Sequence, residues 1–376
     1  MVAYPGNLFS SYTPQRTWPL PMIKKKTNGV FICLSENRLH AAVTSGAVPS
    51  CKIDKVFQAR WDDESEIESL KGELESHKNG NYIPSRFAFS PSSRFVRKFE
   101  IDKAAKKKNA NYLLDIIRDE FRLEPEKLAV NIVNQGDGEE FDVDEGTETK
   151  VVFSGLETEE LREQQNKILE NGFYPESLEI SSVAVLGGIV DYSRQMEIPG
   201  AILILDITSD NSQVFVIRQG EVDVTRPIPY GVHSMIPVVK QELGLKDDES
   251  ARKLFFSNTF DFTEVGPKLL KKLIRELQAS TGFYEVQTGQ TISQIYLPML
   301  PDSLRWIIPV LAEALGVEVL NPNFERWLET HGISFDSSID TPLMNEDWFG
   351  LFSLICPHTS QPDKKPDDEK ETEESS

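Results

Sequence analysis

The chain has 376 residues and a mass of 42.5 kDa, enough for about two domains, and its 39% hydrophobic and 27% charged residues are ordinary for a globular protein with a sizeable core. Forty Lys and Arg against sixty Asp and Glu give a net charge of −20 and a pI near 4.8, which repels phosphate backbones and anionic lipid and argues against nucleic-acid binding. No stretch approaches the roughly 18–20 apolar residues of a membrane helix. Three scattered cysteines, Cys33, Cys51 and Cys356, offer neither a disulfide framework nor a metal knuckle and fit a reducing cytoplasm.

Residues 1–28 carry Pro5, Pro14, Pro19 and Pro21 with little periodicity and read as a loose arm. They lack the basic start and continuous apolar run of a signal peptide. Gly29–Leu34 and Leu39–Val43 are apolar runs around the polar Ser35–Arg38 and read as a hairpin with a tight loop. Helical spacing follows over Glu64–Lys78 and Asn111–Phe121, and over Thr158–Glu170, with Thr158 as its cap and Asn171-Gly172 as its stop. Strands are expected at Leu128–Asn134 and Lys150–Ser154, on either side of an acidic turn, Gly136–Gly146.

A second hairpin begins with Ala201–Asp206, passes the polar Ile207–Gln213, and continues through Val214–Ile217 and Gln219-Gly220 into Glu221–Ile228. One pattern, strand, polar loop, strand, thus opens each half of the chain. A helix over His233–Leu243 ends at Gly244, and a long basic-faced helix spans Glu264–Ser280 with Pro267 in its first turn. Ile292–Leu297 reads as a buried strand, Leu304–Leu315 as a helix ended by Gly316, and Val317–Leu320 as a strand. Alternating strands and helices in both halves indicate an α/β protein. Residues 361–376 hold seven acids, three lysines and no apolar side chain, so no burial offsets their ordering entropy and disorder is expected.

Most local signals favour plain structural readings. The runs Lys24–Lys26 and Lys106–Lys108 read as solvated charge on an acidic protein. His40, His77, His233, His331 and His358 share no metal-ligand spacing, so no zinc site is expected. Gly187-Gly188 after an apolar run fits close helix packing better than phosphate binding. Cys33 lies within an apolar strand and reads as a buried small hydrophobe. The two polar loops carry more. A strand ending in Asp, then hydroxyl residues, then a second strand can build a phosphate-and-magnesium site, the Asp holding hydrated metal and the turn amides wrapping phosphates. Here Asp206 is followed by Thr208, Ser209 and Ser212, residues that serve equally well to satisfy a β-turn.

The order of these landmarks over roughly Gly29–Trp327 resembles the PilM family of actin-like pilus assembly proteins of type IV pilus systems, in the FtsA/actin superfamily. ILILDITSDNSQVFVIRQGEVDVTRPIPYG is similar to the family's second phosphate hairpin with its R-x-I-P-x-G close. VVKQELGLKDDESARKL resembles the helix and acidic segment after it, and ISQIYLPMLPDSLRWIIPVLAEALGVEVLNPN the adenosine loop, its helix and the closing N-P. The chain departs from the family at four elements of one pocket. The first loop's Asp, Gly and Lys fall on Cys33, Ser35 and His40, and the second loop's Gly falls on Thr208 while its Asp remains as Asp206. The A-E-x-L-K helix falls on Ala251, Arg252 and Phe255, and the paired glycines of the adenosine loop fall on Met299 and Leu300, where larger side chains fill the space a base needs.

The resemblance implies an α/β, actin-like (ribonuclease H-like) two-lobe fold with a small inserted subdomain. Lobe I would span 29–199 with the insertion at about 101–154, lobe II 200–335 with its closing helix, then an extension over 336–360 and the acidic tail. It implies a non-catalytic cytoplasmic scaffold of a type IV pilus or type II secretion-like machine, without metal or cofactor and with ATP binding lost. Such a scaffold binds the cytoplasmic N-terminus of a PilN-like inner-membrane protein in a groove between the inserted subdomain and lobe I, with the pilus ATPase as a further candidate partner. It reaches the membrane through that partner, without inserting, and binds no nucleic acid. The rival reading is an ATP-binding actin-like ATPase or sugar-kinase relative using Asp206, Asp210 and magnesium.

Overall fold

A computed structural model describes residues 28–356 apart from 36–37, 47–49, 136–137, 139, 143–148, 258, 299, 342–343 and 345. Residues 1–27 of the expected arm, the acidic tail, Met299, the tip of the first hairpin and most of the acidic turn lie outside the described residues.

The first lobe opens with β1 (Gly29–Ser35), β2 (Arg38–Ser45) and β3 (Cys51–Arg60), joined as an antiparallel meander. Helix α1 (Glu64–Glu73) follows, its N-terminus capped by the Asp63 carboxylate, which accepts the amides of Ser65 and Glu66. Then β4 (Ile83–Phe89) lies parallel beside β1. The chain leaves this sheet for an inserted subdomain: β5 (Phe95–Glu100), the short helices α2 (Lys103–Lys108) and α3 (Tyr112–Asp115), then β6 (Leu128–Asn134) and β7 (Lys150–Glu157). Its three-stranded sheet has the order β5-β7-β6. Helix α4 (Thr158–Glu170), β8 (Phe173–Ile180) and α5 (Ser181–Gln195) complete the lobe, with β8 parallel to β4.

The second lobe repeats the plan. Strands β9 (Ala201–Ile207), β10 (Ser212–Arg218) and β11 (Glu221–Ile228) form an antiparallel meander. Helices α6 (Ile236–Glu242), α7 (Asp248–Phe256), α8 (Gly266–Leu269) and α9 (Lys271–Thr288) precede β12 (Ile292–Tyr296), which is parallel to β9. Helix α10 (Ile307–Leu315) and the two-residue β13 (Glu318–Val319) end it. The chain then returns to the first lobe through α11 (Phe324–Thr330), β14 (Ile333–Phe335) and α12 (Phe349–Ile355). The two main sheets read β14-β3-β2-β1-β4-β8 and β11-β10-β9-β12-β13, so the same meander-plus-parallel order occurs twice.

The strands read as continuous apolar runs because both faces of each sheet are covered. In β1, Val30, Ile32 and Leu34 point toward α1 and α4, while Phe31 and Cys33 point into a core shared with α5 and α12. In β9, Ile202 and Ile204 join that same central core, and Leu203 and Leu205 face the helices of the second lobe. Helices α5 and α12 thus lie between the two sheets. They approach so closely that a Cβ on Gly188 would sit 2.1 Å from Ser353 Oγ, which is the use the tandem glycine finds.

Several element readings shift. Thr158 is the first helical residue of α4, not its cap; the cap is Glu157, with no side-chain bond. The expected Asn111–Phe121 helix becomes α3 and a π-helical turn, Ile116–Glu120. The long basic helix is broken at Leu270 and its second piece runs past Ser280 to Thr288, where Gly289 at φ 67° closes it. The inserted sheet begins at Phe95, ahead of Ile101. The segment read as closing lobe II and as an extension instead feeds the first lobe: β14 adds to the edge of its sheet beside β3, and α12 is buried along its whole length. A helix apolar on every side carries no amphipathic period to announce it.

Candidate functional site

Residues at or just beyond the carboxyl ends of β1, β4, β9 and β12 line one cavity, the usual crevice of an α/β sheet. There a cavity of about 70 Å³ is lined by Ser35, Ser90, Ser92, Arg94, Asp206, Thr208, Ser209, Leu300 and Pro301. Ligand pockets run to roughly 300–1,000 Å³, so this space is far short of a nucleotide's. A larger hollow of about 210 Å³ lies away from both hairpins, at the foot of α11, among Phe324, Phe335 and Met344.

The cleft is small because a side chain from the chain itself fills it. Arg94 leaves the Ser90–Ser93 turn and places its guanidinium on Asp206, with Nη2 at 2.5 Å and Nε at 3.0 Å from Oδ2. Both groups are buried, at 3% and 5% side-chain exposure. Ser182 Oγ donates to the same carboxylate oxygen at 2.5 Å, and Arg94 donates to Pro91 O at 2.9 Å. An ion pair out of water is tolerated when its remaining donors and acceptors are matched in this way. The residues therefore do not fit a hydrated divalent cation, since a fixed positive charge already sits on the Asp206 carboxylate.

The second loop is closed on itself. Thr208 N and Oγ1 both donate to Asn211 O, at 2.8 and 2.9 Å, and Val232 N and His233 N donate to the carbonyls of Thr208 and Ser209. A Cβ on Gly231 would meet Asp210 backbone at 2.5 Å, so glycine lets the turn seat there. Ser212 is outside the cavity, donating to Tyr230 O at 2.6 Å. Asp210 accepts from His233 Nδ1 at 3.1 Å, while Arg252 donates to His233 Nε2 at 3.2 Å, an exposed relay beside the cleft.

Of the other positions that the resemblance singled out, Cys33, His40, Phe255 and Leu300 are buried. Burial pushes the Cys33 thiol up to about 12. Phe255 is buried at the centre of an aromatic cluster, with ring centroids 5.2 Å from Phe262 and 6.1 Å from Trp306. Leu300 lines the cavity. His40 is 1% exposed, its ring 4.5 Å from Trp348. Burial, assisted by the Arg38 charge, lowers its pKa from 6.5 to about 4.

An unfolded chain thus takes up a proton between pH 6.5 and 4 that the folded His40 refuses. Stability from this residue is complete above pH 6.5 and is lost as the pH falls toward 4, on the order of 3 kcal/mol at the lower end. Urea titrations from pH 7 to 4.5 should lose this component in His40→Leu. An unchanged slope in that variant would show that His40 is not the group responsible.

Arg94 is the residue that the sequence reading missed. Its one signal was its setting, an arginine closing a serine-rich turn between two strands. Missed with it was a ring at the cleft mouth made by Arg38, Asp302, Arg305 and Asp347. Among the described residues, no group of three His, Cys, Asp or Glu is placed to hold a metal ion, and no helix is long and apolar enough to cross a membrane.

No protein-family model matches the chain, and no curated protein matches its sequence. Solved structures do match its fold. A chain of the PilM–PilN type IV pilus biogenesis complex aligns over 87% of this chain and 97% of its own, with a TM-score of 0.62 at 14% identity. A Bacteroides thetaiotaomicron protein with an actin-like ATPase fold and unknown function aligns over 89% and 98%, with a TM-score of 0.40 at 10% identity. The cytoplasmic domain of EpsL, an inner membrane component of the type II secretion system of Vibrio cholerae, aligns over 76% and 93%, with a TM-score of 0.34 at 13% identity. The chain has the actin-like α/β fold.

Proposed function

We propose that the protein is a non-catalytic, actin-like scaffold on the cytoplasmic side of a type IV pilus or related secretion machine. Its partner is the short cytoplasmic N-terminus of a single-span inner-membrane protein of the PilN kind. The observation that carries this reading is the likeness, over 87% of this chain and 97% of the other, to a chain of a PilM–PilN type IV pilus biogenesis complex. The contents of the cleft support its non-catalytic part, since Arg94 neutralises Asp206, the acid that a nucleotide's magnesium would need.

The partner peptide would lie in the groove between the inserted subdomain and the first lobe, as an extended segment or short helix on apolar side chains. The subdomain is anchored on both sides. Glu160 accepts the amides of Ser92 and Ser93 at 2.7 and 3.0 Å, and on the other flank Lys98 N donates to Thr225 Oγ1 at 2.9 Å and Gln135 Nε2 to Val222 O at 3.0 Å. A groove wall held this firmly needs little ordering when a peptide binds.

Calorimetric titration with a synthetic peptide of a partner's cytoplasmic head tests the claim. The expected affinity is micromolar, on the order of −8 kcal/mol. No heat from any such peptide would remove the scaffold reading's main support. A thermal melt with millimolar ATP and magnesium tests the rest: no rise in Tm is expected, because a tight ligand must raise it by mass action. A clear magnesium-dependent rise would favour the ATPase reading instead.

A further inference from the structure

The two lobes share one apolar core around α5 and α12, and above it they face each other across the cleft. There, besides the hydrogen bonds that tie the inserted subdomain to β11, the contacts are ionic. Arg94, entering from the first lobe, is bonded to Asp206 of β9 in the second. At the mouth, Arg38 of β2 pairs with Asp302, in the turn after β12, and donates to Asp347 at 3.0 Å. Arg305 closes the ring, 3.0 Å from Asp302 and 2.9 Å from Asp347. Charges alternate round these four residues. Two of the four sides, Arg38–Asp302 and Arg305–Asp347, run from one lobe to the other.

We propose that Arg94–Asp206 and this ring form a latch that fixes the angle between the lobes without any ligand. In two-lobed clefts, closure commonly follows a ligand that touches both sides. Here the chain supplies both halves of the contact. Opening would part the buried Arg94–Asp206 pair and break the two sides of the ring that cross between the lobes, Asp347 keeping only Arg38, whereas a single exposed pair would hold little. Shared partners also lower the ordering cost of the ring, since each arginine held by one Asp is already placed for the other. This inference concerns the lobe angle and stands apart from the identity of any partner.

Spin labels on the full chain test it. Glu68→Cys on α1 and Lys253→Cys on α7 offer exposed sites, one on each lobe, and the native cysteines are each only 1% exposed. Electron–electron distance measurement should give one narrow distribution, identical with and without ATP and magnesium. Arg38→Glu sets a third acid against Asp302 and Asp347 and should give a longer, broader distribution in a protein that circular dichroism shows folded. Should that variant not fold, Arg38→Gln is judged by the same criterion. Wild-type distances in the folded variant would overturn the latch. So would a broad distribution in the unmodified chain that narrows only with nucleotide.

Discussion

Asp206→Ala is expected to cost the protein about 3–5 kcal/mol, because it leaves the Arg94 guanidinium buried without its counter-charge. Urea unfolding at pH 7 measures this. Removing both partners together, as Arg94→Met with Asp206→Leu, should return most of the loss, since an apolar pair of similar volume needs no compensation. The result separates the two functional readings. A carboxylate kept for a ligand sits poorly compensated in the empty protein, so replacing it commonly leaves stability unchanged or raised. An Asp206→Ala variant as stable as the parent would mean that the carboxylate is held for something other than Arg94.

The sequence made the hairpins legible and left the cleft's contents hidden, for different physical reasons. Strands β1, β9 and β10 are buried on both faces, so their runs of Val, Ile, Leu and Phe are local and continuous. Asp206 stood out as an acid that ends such a run ahead of hydroxyl residues. Its partner lies 112 residues away, in another lobe, and no spacing rule reaches across that separation. The same holds for Arg38 with Asp302, 264 residues apart. The family resemblance singled out Cys33, His40 and Phe255 but could not say what surrounds them, which proves to be a strand core, a tilted contact with the Trp348 ring and an aromatic cluster. The return of the chain to the first lobe was hidden in composition: FGLFSLI has no polar face.

Ending the chain at Asp340 is expected to abolish folding, whereas ending it at Ser360 should leave Tm unchanged. The longer cut removes α12, whose Phe349, Leu351, Phe352, Leu354 and Ile355 are each at most 2% exposed in the core between the sheets. Each such side chain contributes about 1.5–3 kcal/mol on burial, so their sum approaches the 5–15 kcal/mol that typically separates folded from unfolded. Trp327 of α11 would also lose the ring stacked on it, Phe349, at 5.0 Å. The shorter cut removes 361–376, which carries no apolar side chain to bury. Soluble yield and a cooperative melt by circular dichroism decide both. A cooperative melt after the longer cut would show that the two sheets close on each other without α12. They would then need some other filling for the space beside α5, where Gly188 leaves no side chain of its own.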